Sequence, residues 1–503
     1  MPRFYIENFG CRATQADGAA LERQFLERGL ERAGAARDAE IVVLNTCTVT
    51  SGADKDARAS IRRLQRVNPD CKILVTGCYA QRAPEELATL PGVTWVVGNS
   101  HKHQVAAIAT SPPSSEGFVS LAMLLGESHS ENVFVGDIFA HTELLADPVF
   151  EAANERTRPN LKVQDGCDNR CSFCVIPYVR GQSRSLPAER VIAEVRTLVD
   201  AGYREVVISG INLGRWGRDL RAVGYSSSAI CEGQAEIRVS GEMDRERRPA
   251  NGERPTTDDQ RLVDLIRTIL AQTCIEKLRI SSVEPMDWSD DLIELVASSE
   301  RIAKHTHVPM QSGSDAVLRR MHRKYRPWHY REKILKIRET MPNAAIGADV
   351  MVGFPGETDA EFKETRSMIE ELPFTYLHVF TYSARPGTPA AGAPGQVAIG
   401  VARERNRILR EIASEKKAAF ARTLVGTTVK VITLQTGGAD FTEALTDNYL
   451  KMRISGRYAA NRWMDAKVQG VTGEMLAGQL LAEPTKSARL KVSDPAVSKR
   501  LIP

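Results

Sequence analysis

The chain has 503 residues, of which 42% are hydrophobic and 26% charged, and a net charge of +4. That length predicts two or three domains rather than one core. No apolar run of about 18 residues argues for a membrane span, and the start carries no apolar signal core. The small net charge permits a nucleic-acid partner without arguing for one. A cytoplasmic protein is expected, with its nine cysteines as metal ligands, catalytic groups or buried thiols rather than disulfides.

Residues 3–9 read as a strand and 15–33 as a helix with Leu21, Phe25 and Leu26 on one face. The apolar run Ile41-Val42-Val43-Leu44 fits a buried parallel strand, followed by a basic helix at about 54–67 and a strand at Ile73-Leu74-Val75. This alternation predicts an α/β domain with a parallel sheet over 1–108, and 109–154 reads as a linker. Alternation resumes with a strand at 161–163, a helix at 187–201, a strand at 205–208 and a helix at 261–272. Further strands are predicted at 277–280, 307–310, 345–350 and 376–380. About six βα units across 155–395 predict a full or partial βα barrel with its site at the C-terminal strand ends. Within it, 217–260 is polar and aperiodic and reads as a disordered insert. A basic helix is expected at 396–423 (Arg403, Arg405, Arg407, Arg410, Lys416, Lys417, Arg422), a small β-barrel at 424–485, and a tail at 486–503.

Cys167, Cys171 and Cys174 follow a predicted strand in Gly-Cys-Asp-Asn-Arg-Cys-Ser-Phe-Cys. Spacings of three and two residues let one loop aim three thiolates at a cuboidal iron–sulfur cluster. Zinc would want a fourth ligand nearby, and the residues that follow supply none. One iron is left open, able to bind the amino and carboxylate groups of S-adenosylmethionine (SAM). Cys11, Cys47 and Cys78 each end a predicted strand, and strand ends of an open parallel sheet converge on one crevice. They form a second candidate cluster site, with three ordinary buried thiols as the alternative. Cys71, Cys231 and Cys274 read as plain thiols.

The Cys-x3-Cys-x2-Cys spacing with Phe173 before the last cysteine resembles the radical SAM superfamily. The longer string from Gly166 to Gly181 is similar to the methylthiotransferases, as is the N-terminal cysteine domain, and the last β-barrel resembles an RNA-binding TRAM domain. The strings Asn45-Thr-Cys-Thr-Val-Thr50, Val75-Thr-Gly-Cys-Tyr-Ala-Gln81 and His305-Thr-His-Val-Pro-Met-Gln-Ser-Gly313 resemble the MtaB branch, which acts on threonylcarbamoyl-adenosine at position 37 of tRNAs. Where the family usually has Gly-Cys-x-x-Asn, this chain has Thr14, which alters a hydrogen bond near the N-terminal cysteines but not the ligand.

The resemblance implies two 4Fe-4S clusters, one on each cysteine triad, and two SAM molecules per turnover. The target C–H is unactivated, so the cofactor must supply a radical. The Cys167/Cys171/Cys174 site would generate it, and the Cys11/Cys47/Cys78 site would deliver sulfur. The Phe173 backbone beside the adenine is a further implication. Candidate SAM contacts at predicted strand ends are Gly210 and Asn212 in Ser209-Gly-Ile-Asn212, Glu284, Gln311, and Gly353 in Val352-Gly-Phe-Pro355. Arg180 and Arg184 are candidate contacts to RNA phosphate, and Tyr449 and Trp463 either stack on bases or belong to the core. The implied partners are the anticodon stem-loop of tRNA and an electron donor such as flavodoxin or ferredoxin, with the enzyme a monomer. Alternatives are a sister methylthiotransferase acting on isopentenyl-adenosine or on a ribosomal-protein aspartate, and a non-catalytic iron–sulfur redox sensor that binds nucleic acid.

Overall fold

Strands at the N-terminus line up in one parallel sheet in the order Glu31–Arg32, Arg3–Asn8, Ile41–Thr46, Lys72–Gly77, Val93–Val97, Val133–Phe134. The computed structural model describes residues 1–111, 132–140, 157–220 and 261–481. The strand Ile41–Thr46 is buried throughout, as expected of a strand covered on both faces. The helix Arg12–Glu27 starts earlier than predicted. It buries Leu21 and Phe25, one turn apart, but Leu26 is 48% exposed, because one residue turns a side chain about 100° around a helix. The predicted linker is partly structure, since Val133–Phe134 joins the edge of this sheet.

The second domain has parallel strands Asn160–Asp165, Glu205–Gly210 and Lys277–Ile280, then His305–His307, Ala345–Val352 and Tyr376–Thr381. The bridge Ser282↔His307 links the two groups, so six parallel strands form a partial βα barrel. The strand expected at 307–310 lies two residues earlier. Helix Ala188–Asp200 buries Val191, Ile192, Val195 and Leu198, a one-sided apolar stripe, and Thr358 and Glu361 form a capping box on Asp359–Glu371. Residues 217–220 belong to the fold rather than to an insert: Gly217 donates to Ser185 Oγ at 2.8 Å and Asp219 accepts from the Ser185 amide at 2.7 Å. The rest of the predicted insert, Cys231 and the tail lie outside the described residues.

The long helix Ile399–Thr423 leads into a closed barrel of five strands between Thr428 and Leu480. This barrel docks on the N-terminal ends of the βα strands. Arg279 donates to the Asp447 carbonyl at 3.2 Å, Lys277 pairs with Asp447 at 3.3 Å, and Asn448 donates to the Asn343 carbonyl at 3.0 Å. The basic helix is only partly an outward cationic face. Arg405 is buried against Glu357 at 2.6 Å and Asp359 at 2.7 Å, and Lys416 donates to the Glu370 and Leu372 carbonyls. Arg407 and Lys417 pair with glutamates. No described helix is long and apolar enough to cross a membrane. Cys274 is disulfide-bonded, against the expectation of a plain thiol.

Candidate functional site

Cys11, Cys47 and Cys78 follow three neighbouring strands, held in register by Asn8↔Asn45 and Thr46↔Gly77. The common strand-end position puts the three on neighbouring loops at one edge of the sheet. Gly10 has φ +93°, and a Cβ there would lie 2.8 Å from Cys47 Sγ, so only glycine lets the first loop pass the second cysteine. Burial pushes the Cys47 thiol up to about 12, reinforced by Cys78 and Cys11 and opposed by Arg180. Thr14, at the position where a family asparagine was expected, keeps a hydrogen-bonding group there: its Oγ1 stands 3.5 Å from Cys11 Sγ.

The second triad lies in the loop after Asn160–Asp165. Gly166, at φ +71°, is forced to be glycine because a Cβ would lie 1.8 Å from the Gln182 carbonyl oxygen. Burial pushes the Cys174 thiol up to about 12, with Cys171 and Cys167 adding to the rise. The triads adjoin: Cys78 packs in one cluster with Val175, Ile176 and Val179, against which Cys167 and Cys174 also lie. Each triad has an asparagine amide turned toward it. Asn99 Nδ2 is 3.6 Å from Cys78 Sγ and Asn212 Nδ2 is 3.7 Å from Cys167 Sγ.

The donor chemistry suits cuboidal clusters. Each triad offers only soft thiols, and each thiolate of such a cluster binds a different iron, so the sulfurs need not meet at a point. Among the described residues no three His, Cys, Asp or Glu side chains converge as a single ion would require. Asn99 and Asn212 each also keep a buried side-chain oxygen without a partner, acceptor capacity left unspent beside the cysteines.

Around the second triad the predicted SAM contacts have mixed surroundings. Asn212 is buried, and its backbone N–H donates to Gln164 Oε1 at 2.7 Å; Gly210 packs on Gln164, where a Cβ would lie 2.7 Å from that oxygen. Phe173 meets Phe354 edge-on at 6.3 Å. The Glu284 carboxylate is taken by Arg323, which also reaches Cys171 Sγ at 3.3 Å. Gln311, at φ +63°, ties two strands by accepting from the Met351 amide at 2.8 Å. Gly353 packs on the long helix, where a Cβ would lie 2.5 Å from Ala402 Cβ, so its glycine serves packing.

Arg180 is not available to RNA. It is 2% exposed and binds Asp165 at 3.0 Å and Asp17 at 2.9 Å. Asp17 also holds Lys102 at 2.9 Å and Lys162, and Lys162 holds Asp165 at 2.8 Å. Burial would raise the Asp17 carboxyl, but Lys102, Lys162 and Arg180 outweigh it and hold it well below the carboxylate range. Arg184 lies in a two-residue strand opposite Asp165. The sequence reading missed Asn99, Arg323 and this network. Charged residues inside apolar strand and helix patterns, such as Lys162 between Leu161 and Val163, were the available signal.

A separate cleft of about 750 Å³ lies between the long helix, the βα strands and the closed barrel, lined by Arg158, Arg403, Arg407, Arg410, Tyr376 and Tyr449 among others. Tyr449 is half-buried, its ring tilted against His305 at 4.6 Å, and its hydroxyl accepts from Arg12 at 3.2 Å. Trp463, also half-buried, faces the Lys277 ammonium at 5.1 Å.

Two family models match the chain: an uncharacterised protein family, UPF0004, over residues 3–98 and the Radical SAM superfamily over 161–369. The chain is 34% identical to a Bacillus subtilis protein named threonylcarbamoyladenosine tRNA methylthiotransferase MtaB, over 90% of each chain. The Aquifex aeolicus protein of the same name is also 34% identical, over 90% of this chain and 96% of its own. A Bacillus velezensis tRNA-2-methylthio-N(6)-dimethylallyladenosine synthase is 30% identical, over 86% of this chain and 75% of its own.

Proposed function

Because the chain belongs to the MtaB family of radical SAM methylthiotransferases, we propose that it attaches a methylthio group to carbon 2 of N6-threonylcarbamoyladenosine at position 37 of tRNA. The observation that carries this reading is the packing of the two cysteine triads into one site. Cys78 shares a cluster of side chains with the loop that bears Cys167 and Cys174, so two metal centres would face one substrate.

In this reading Cys167, Cys171 and Cys174 hold one 4Fe-4S cluster and Cys11, Cys47 and Cys78 hold a second. When bound, the clusters with SAM supply the radical and the sulfur that acid–base side chains cannot. The chain's own residues orient and enclose. Asn212, Gly210 and the Phe173 backbone border the SAM side, and Arg323 fixes Glu284 and approaches Cys171. Gly166 and Gly10 let the loops close on the cysteines. Gln311 and Gly353 shape the surrounding turns. The cleft carrying Arg403, Arg410 and Tyr449 takes the RNA, with cations toward phosphate and the aromatic ring toward a base. The domain division follows the same lines: a cysteine domain to residue 108, the radical SAM domain over 155–395 and the RNA-binding barrel over 424–485.

Mass spectrometry of tRNA nucleosides from a strain lacking this gene tests the reading. The methylthio form of threonylcarbamoyladenosine should vanish, return with the intact gene, and stay absent with Cys167→Ala. An unchanged nucleoside would refute the substrate assignment and direct the search to isopentenyl-adenosine.

A further inference from the structure

We propose that the buried network of Asp17, Lys102, Lys162, Asp165 and Arg180 is the counter-charge of the cluster held by Cys11, Cys47 and Cys78 and raises that cluster's reduction potential. The inference rests on the cluster assignment made in the proposed function.

Among the described residues, three cations and two carboxylates are joined in the network by direct ion pairs, which leaves one positive charge unmatched. None of the five is on the surface: side-chain exposures are 3% for Lys102, 1% for Asp17 and Lys162, 2% for Arg180 and 9% for Asp165. A buried charge without a partner is costly unless a neighbouring group of opposite sign compensates it. The geometry aims the surplus at the N-terminal cysteines. Thr14 Oγ1 stands 3.5 Å from both Cys11 Sγ and Arg180 Nη2. Val179, next to Arg180, accepts from Asn99 at 2.7 Å, and the same Asn99 amide points at Cys78 Sγ. Lys102 lies in the two-turn 3-10 segment Asn99–Gln104 with Asn99.

The charges complement one another. A four-iron core of charge 2+ held by three thiolates carries one net negative charge, equal and opposite to the network's surplus. One-electron reduction adds a second negative charge and breaks no bond. A fixed cation in a low-dielectric surrounding favours that reduced state, because its attraction is weakly screened there. The network spans both domains, Asp17 and Lys102 on one side and Lys162, Asp165 and Arg180 on the other, so the charge is assembled only when the domains dock.

The test uses the full chain with Cys167→Ala, Cys171→Ala and Cys174→Ala, reconstituted anaerobically so that only the N-terminal cluster remains. A redox titration followed by electron paramagnetic resonance reads its midpoint potential against the same protein carrying Lys102→Met, Lys102→Arg or Asp17→Asn. Lys102→Met should lower the potential, Asp17→Asn should raise it, and Lys102→Arg should leave it in place. A merely structural role would not move neutralising changes of opposite sign in opposite directions, so equal potentials or shifts of one sign overturn the proposal. If Lys102→Met loads no iron, the upward shift of Asp17→Asn decides. Loss of iron in both overturns it. If the parent triple variant itself binds no iron, the cluster assignment fails, whereas iron bound at an unmoved potential defeats the counter-charge alone.

Discussion

Asn99 and Cys78 are linked across the domain boundary: the Asn99 amide lies 3.6 Å from Cys78 Sγ while donating to the Val179 carbonyl at 2.7 Å. One side chain from the first domain thus touches a cysteine of its own domain and the backbone of the next. Asn99→Ala leaves the buried Val179 carbonyl without its donor, at a cost of about 1–3 kcal/mol. Thermal unfolding of the iron-free protein should show a lower midpoint, with the helical content before melting unchanged. An unchanged midpoint would mean that water replaces the amide.

Iron content separates the two triads. The reconstituted protein should hold about eight irons, and replacing Cys47 or the Cys167 triad should leave about four. Cys71→Ala should change nothing, since Cys71 packs in the apolar core around Val42 and Ile73. Colorimetric iron and sulfide assays decide it, and full loading of the Cys47→Ala protein would remove that residue from the ligand set.

Stability should fall as pH drops below neutrality. His305 is fully buried, and burial, then Arg279, His307, Arg12 and Arg158, hold its pKa well below the ordinary 6.5. The folded chain therefore binds fewer protons there than the unfolded chain. Stability is lost as pH falls through the unfolded value, by up to about 1.4 kcal/mol per pH unit for one such group. Asp17 and Asp165 are also shifted down, by the cations around them. Their contribution persists above the unfolded carboxylate range and is lost only in stronger acid. Urea midpoints between about pH 7.5 and 5.5 should fall, and His305→Asn should flatten the slope.

Two arginines of one helix should give different phenotypes. Arg405→Ala strands the buried Glu357 carboxylate and should cost about 3–5 kcal/mol of stability. Arg410 lines the cleft, and among the described residues it forms no ion pair. Arg410→Ala should leave the melting temperature in place, weaken tRNA binding, and lower the salt dependence of the affinity by about one phosphate contact. Filter binding across a salt series measures this.

The architecture was legible because its signals are periodic. Ile41–Leu44 and Ile73–Val75 read as covered strands, and the cysteines took their meaning from standing directly after such strands. Partnerships between polar groups are not periodic. Arg180 looked like a cation for RNA because its two carboxylate partners lie 15 and 163 residues away in sequence. Arg405 was hidden in the same way, its partner Glu357 being distant. The strand Val133–Phe134 is only two residues long, too short for alternation to register. Cys274 read as an isolated thiol because spacing alone does not pair cysteines.

Cys11, Cys78 and Cys167 each follow a glycine with positive φ, at +93°, +99° and +71°. In a zinc finger the metal folds the chain. Here backbone geometry that other residues rarely adopt presents the thiols, within sheets and loops that hydrogen bonds already close. A substitution at any of the three glycines therefore acts on the cysteine that follows it without altering a sulfur, through the backbone alone.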